Sequence, residues 1–204
     1  MSIRQSFLAS FLAGICISLG GTVYAMSPDK VVGSIFFCVA LLTICYMRLS
    51  LYTGKIGFIV DNYKKKDIID ILICLIGNLV GVVLIGSLWP SDTTLVLTCK
   101  NIVDGKLAAS LYTTFLNAVM CGILMYIAVW IYKNKQSIMG ILFCVPTFIL
   151  AGFEHSIADM FYIAAAKEYT IKSIVFVLLV LFGNTVGSIL FSLIFSYCMK
   201  NNHT

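Results

Sequence analysis

Ala151-Gly152-Phe153-Glu154-His155-Ser156 cuts an apolar run in two. The run begins near 138, stops at these six residues and resumes over 157–166. A glycine, an acid, an imidazole and a hydroxyl thus stand together in a stretch otherwise suited to lipid. A broken helix exposes N–H and C=O groups that lipid cannot hydrogen-bond. Such a break persists at membrane depth only where protein buries it or where it borders a water-containing path. A second break lies earlier: an apolar block over 31–47 is interrupted by Arg48-Leu49-Ser50-Leu51-Tyr52-Thr53-Gly54-Lys55 and resumes over 56–60. Thr53 and His155, one at each break, are 102 positions apart.

The rest of the chain supplies the lipid-facing context. Of its 204 residues, 60% are hydrophobic and only 11% charged, with a mean hydropathy of +1.01. A soluble domain is about 45–50% apolar and about 25% charged. That contrast excludes a soluble enzyme, a nucleic-acid module and a disordered chain. At about 20 residues per spanning helix, six apolar blocks read as six spans: 6–26, 31–60 with its break, 68–89, 107–132, 138–166 with its break, and 171–199. Transmembrane strands would alternate in polarity over about 9–11 residues, which is not seen. The first block runs on to Met26 without a convincing cleavage site, so it reads as a retained span rather than a signal peptide.

The eight cysteines show no CxxC or other ligand-like spacing, so neither a disulfide framework, a metal site nor a cofactor is expected. With six spans, one side holds Arg4, Lys64, Lys65, Lys66, Lys133, Lys135 and Lys200. The other holds Lys30, Lys100, Lys106, Lys167 and Lys172. The positive-inside rule then puts both termini in the cytoplasm of a multi-pass protein of the inner (plasma) membrane.

The two breaks belong to a repeat. Gly77-Asn78-Leu79-Val80-Gly81 returns as Gly183-Asn184-Thr185-Val186-Gly187, 106 positions later. Each half holds three spans, and three is odd, so the halves cross in opposite directions. The expected fold is all-α and integral to the membrane: one domain over 1–204, with six transmembrane helices as two inverted three-helix repeats. Repeat one covers about 1–90 and repeat two about 107–199, and the second and fifth helices are interrupted. Paired interrupted helices are how many transporters bring polar groups to the midplane. The GNxxG glycines also suit simple close packing of helices.

Several residues carry the chemistry. His155 is the one histidine inside the apolar blocks. An ionisable group there marks an ion or proton path by default, and imidazole titrates near neutral pH. Thr53 supplies a hydroxyl at the other break. Lys106 stands where the fourth span enters the membrane, and snorkelling to the interface is its ordinary role. Glu154 points away from its neighbour His155, toward a subunit or helix contact. Asp159, four residues after His155, could orient the imidazole or balance its charge. Arg48 and Lys55 are expected to pair with carboxylates or backbone carbonyls. A neutral-solute pore of the aquaporin type is the alternative reading. It would carry paired Asn-Pro-Ala tripeptides, and the sequence has none. An intramembrane protease would need a serine in a nucleophile context, which Ser156 lacks.

Gly152-Phe153-Glu154-His155-Ser156-Ile157-Ala158-Asp159-Met160 closely resembles the GFEHS(I/V)ANM signature of the formate/nitrite transporter family. Leu51-Tyr52-Thr53-Gly54 resembles its LFTG loop, and both GNxxG segments and Ala128-Val129-Trp130 match as well. The resemblance spans essentially the whole chain. It implies an aquaporin-like homopentamer in the lipid bilayer, each protomer with its own path for small anions: formate, nitrite or, in one branch, hydrosulfide. It maps the central histidine onto His155, the facing threonine onto Thr53 and the lysine before the fourth span onto Lys106. Constrictions map onto Leu41, Leu51 and Phe148 on one side of the histidine and onto Phe37, Tyr52 and Met125 on the other. Two positions depart from the pattern. Gly122 stands where formate and nitrite members carry asparagine, and Asp159 replaces another asparagine. Both lean toward the hydrosulfide branch. The function expected is proton exchange between a weak-acid anion and His155.

Overall fold

The computed structural model describes residues 2–60 and 65–201, and all regular structure in them is helical. Lys64 of the basic loop and the tail from Asn202 lie outside the described residues. Helix α1 (Ile3–Met26) starts at a capping box, in which Ser2 and Gln5 exchange hydrogen bonds. It ends at Ser27, which precedes Pro28 and is extended, as a residue before proline prefers. Helix α2 (Lys30–Tyr46) starts where the Asp29 carboxylate accepts the Val31 and Val32 N–H groups at 2.7 and 3.0 Å. After the first break come the single turn α3 (Tyr52–Lys55) and a 3-10 turn over Ile56–Val60. Then follow α4 (Lys65–Ser87), α5 (Thr94–Ala108), α6 (Leu111–Lys135), α7 (Met139–Leu150), α8 (Ser156–Ala166) and α9 (Ile171–Asn201).

Among the described residues, four helices are long and apolar enough to cross a membrane: α1, α4, α6 and α9, with 22 to 29 qualifying residues each. At 1.5 Å per residue these reach about 33 Å or more, against a hydrocarbon core of about 30 Å. Helices α2, α7 and α8, with 17, 12 and 11 residues, are shorter. The two interrupted blocks therefore become α2 followed by α3, and α7 followed by α8.

The polypeptide is packed inside out relative to a soluble domain. Ser10, Ser18, Ser34, Ser188 and Ser192 are fully buried, whereas Phe36, Phe143, Leu178 and Phe182 are at least 60% exposed. Lipid removes no apolar surface from water, so small residues and interior hydrogen bonds hold the helices together. The GNxxG glycines serve that packing. A Cβ at Gly77 would come within 2.5 Å of the Ser10 Cβ, and one at Gly183 within 2.5 Å of the Ala118 Cβ. They press α4 onto α1 and α9 onto α6.

One element departs from the expectation. The polar stretch before the fourth span is itself a helix, α5, packed against α8. Its buried residues Leu95, Val96, Cys99 and Val103 form one stripe, diluted in sequence by Lys100, Asn101 and Asp104. Extended Ala109 and the cap Ser110 then restart the chain as α6. Lys106 thus ends α5 rather than entering the fourth span.

Candidate functional site

The two breaks share one backbone design. In the first, Arg48 takes a left-handed φ of 54° and the Leu49 N–H reaches back to the Ile44 carbonyl at 2.9 Å. In the second, Gly152 has φ 71° and the Phe153 N–H reaches the Phe148 carbonyl at 2.9 Å. Both are helix ends closed by a left-handed residue. An extended residue then starts the next helix: Leu51 before α3 and His155 before α8. The true counterpart of His155 is therefore Leu51. Thr53 lies two residues beyond it, in α3.

Each break is clamped by the asparagine of a GNxxG motif. Asn78 Nδ2 donates to the Ser10 and Ser50 carbonyls at 2.7 and 2.9 Å, and its Oδ1 accepts the Tyr52 N–H at 2.8 Å. Asn184 Nδ2 donates to the Ala118 and Glu154 carbonyls, both at 2.8 Å, and its Oδ1 accepts the Ser156 N–H at 2.9 Å. These side chains satisfy the backbone groups that interruption frees. They were the functional residues missed in the sequence. The available signal was a fixed Asn inside each apolar span, a costly choice unless it has partners.

The breaks meet at Thr53 and His155, whose Oγ1 and Nε2 lie 2.8 Å apart with both residues buried. His155 also caps its own helix: the Ala158 N–H donates to Nδ1 at 3.2 Å. A nitrogen that accepts carries no proton, so the neutral ring holds its hydrogen on Nε2 and donates it to Thr53. Phe148 stacks on the imidazole, with centroids 5.5 Å apart and planes 20° from parallel. Phe37 meets Phe148 edge-on at 6.1 Å. Leu41, Leu51, Tyr52 and Met125 are buried as well, and the Tyr52 hydroxyl shares a 2.7 Å hydrogen bond with Thr185 Oγ1.

Leu41 and Leu51 also line a cavity of about 670 Å³, together with Arg48, Lys55, Val129 and Lys133. Among the described residues, three basic side chains and no acidic one line it. Lys55 Nζ donates to Ser50 Oγ at 2.8 Å.

Lys106 is not brought to the imidazole. It pairs with Glu154 and, at 2.9 Å, with Asp159 Oδ1. Asp159 therefore holds the lysine of α5, not the histidine one turn before it, and Glu154 makes a helix contact to α5. Gly122 is packed against the Asn184 backbone, where a Cβ would collide with its carbonyl. Among the described residues no group of three or more His, Cys, Asp or Glu could hold a metal ion.

Long apolar helices, two clamped breaks and a buried imidazole define a membrane transport protein. Residues 1–198 match the family model for the formate/nitrite transporter, and the chain belongs to that family. The nitrite transporter NirC of Escherichia coli strain K12 is 28% identical over 91% of this chain and 80% of its own length. The formate channel FocA of Haemophilus influenzae is 23% identical over 78% of this chain and 65% of its own. Among solved structures, a pentameric formate channel with formate bound superposes with a TM-score of 0.76. It is 22% identical and covers 98% of this chain and 96% of the channel. An FNT family ion channel gives a TM-score of 0.78 at 24% identity, covering 96% and 89%. The chain is an integral membrane transporter or channel, not an enzyme.

Proposed function

We propose that the chain forms a homopentamer in the plasma membrane, each protomer with its own path for a small monovalent weak-acid anion: formate, nitrite or hydrosulfide. Six spans in two inverted halves, arranged as in aquaporins with both termini cytoplasmic, set the two breaks at mid-membrane. The observation that carries the reading is the Thr53–His155 hydrogen bond where the breaks meet. Two of the chain's relatives are named for nitrite and formate, and one neighbour for a bound formate and a pentamer.

The chemistry follows from burial. An anion leaving the basic cavity must pass Leu41 and Leu51, and an unpaired charge in an apolar medium costs many kcal/mol. Phe148, Phe37, Tyr52 and Met125 complete the narrow apolar stretch around the ring. Thr53 and the Nε2–H of His155 offer hydrogen bonds to the anion. Charging the ring adds a proton at Nδ1, which displaces the Ala158 N–H from its acceptor. The imidazolium then passes its Nε2 proton to the anion, and the neutral acid crosses and releases the proton on the far side. Only weak acids can use this route; chloride cannot. Lys106, held by two carboxylates, contributes to the potential near the ring rather than touching the anion.

The test is flux of formate, nitrite and hydrosulfide into liposomes holding the purified protein, at two pH values. Faster uptake at the lower pH, with chloride excluded, is expected. Chloride flux equal to that of the weak acids would refute the reading.

A further inference from the structure

Glu154 and Asp159 stand on one lysine. Lys106 Nζ pairs with the Glu154 carboxylate and with Asp159 Oδ1 at 2.9 Å. The acids are 5% and 1% exposed. Both carboxylates thus converge on the one ammonium group. With all three groups ionised, two negative charges meet one positive, and the excess is buried. Asp159 Oδ2 is buried and finds no hydrogen-bond donor among the described residues. A buried carboxylate oxygen with no donor, in a cluster with one negative charge in excess, is costly to keep ionised.

Among the described residues, no second cation pairs with either acid. Cys121 of α6 and Tyr162 of α8 are within electrostatic reach of the acids, Cys99 of α5 is within reach of Tyr162, and the Tyr24 ring of α1 lies 6.5 Å from that of Tyr162. All four are neutral or anionic. His155 is within electrostatic reach of Lys106, but its Nδ1 accepts the Ala158 N–H, so the ring is neutral in this arrangement.

We propose that Glu154 and Asp159 share one proton against Lys106, forming a second proton-binding site beside His155. The proton cancels the excess charge and bridges the two carboxyls, as it does wherever two carboxylates share a site. While it is in place the cluster is neutral. When it leaves, the cluster is negative, and the potential at His155 then repels anions and favours a charged ring. The two protons are thus coupled: one belongs to the acid pair when the ring is neutral. The use of this site in transport rests on the anion pathway proposed above; the site itself does not.

Infrared spectra of the purified protein near pH 7 test it. Exposed carboxyls are ionised there, so a carboxylic-acid C=O stretch reports a buried protonated acid. The wild type is expected to show that band and Asp159→Asn to lose it, because one carboxylate then faces one lysine. Should that variant fail to assemble, Glu154→Gln is expected to lose the band for the same reason. No band in the wild type, or a band that survives Asp159→Asn, would overturn the proposal. Asp159→Asn is also expected to flatten the pH dependence of formate flux in liposomes. A wild-type pH profile retained in that variant would overturn the site's part in transport. Formate flux absent from both proteins would count against the anion pathway, and the infrared result would still decide the proton site.

Discussion

The two breaks have the same skeleton and opposite chemistry. Each closes a helix with a left-handed residue, restarts from an extended one and is tied by an asparagine. At the restart the first break places Leu51, with no side-chain cap, and the second places His155, which caps its own helix. One residue earlier the first has neutral Ser50, beside Lys55, and the second has Glu154, beside Lys106. The repeat supplies a frame that holds irregular backbone in an apolar interior, and the two halves fill that frame differently. A hydroxyl comes from one side, and an imidazole with a lysine and two acids beside it comes from the other.

The comparison breaks most severely at the clamps. Asn184→Ala removes three hydrogen bonds, and Asn78→Ala removes the matching three and a weaker one from the Cys74 thiol; each strands a buried backbone N–H, that of Ser156 or of Tyr52. Each should lower stability by about 2–4 kcal/mol, read by thermal unfolding in detergent. The two losses should match within about 1 kcal/mol. A large loss at one and none at the other would mean that the frames are not equivalent. Thr53→Val keeps the shape but strands the Nε2–H of His155. Anion flux should fall about tenfold, the worth of one hydrogen bond, with assembly intact. The smallest effects separate the left-handed residues. A Cβ at Gly152 meets nothing within 4 Å, so Gly152→Ala should cost only the conformational penalty, about 1 kcal/mol. Arg48→Gly should do the reverse and stabilise by about 0.5 kcal/mol. Equal effects of one sign would show that strain does not distinguish the breaks.

Much of this was legible in the sequence because lipid makes polar residues expensive. The six apolar blocks and the two interruptions stood out against a greasy background, and the family resemblance set Thr53 facing His155. What stayed hidden depends on side-chain direction. Asp159 lies one helical turn from His155, which suggested a contact. In the fold the imidazole turns back to Ala158 and across to Thr53, while the carboxylate turns to α5. Helix α5 itself was masked by the polar residues that dilute its buried stripe, so the position of Lys106 against Glu154 and Asp159 was out of reach. The clamps were in view as GNxxG, but spacing alone shows the glycines' packing role, not the carbonyls that Asn78 and Asn184 reach.

The central claim is that His155 exchanges a proton with a weak-acid anion, and His155→Asn tests it most directly. Asparagine can still hydrogen-bond Thr53 but cannot carry the proton. Proton-coupled uptake of formate or nitrite into liposomes should fall by at least about 100-fold, with the assembled protein otherwise unchanged. Undiminished, pH-dependent uptake by that variant would contradict the account.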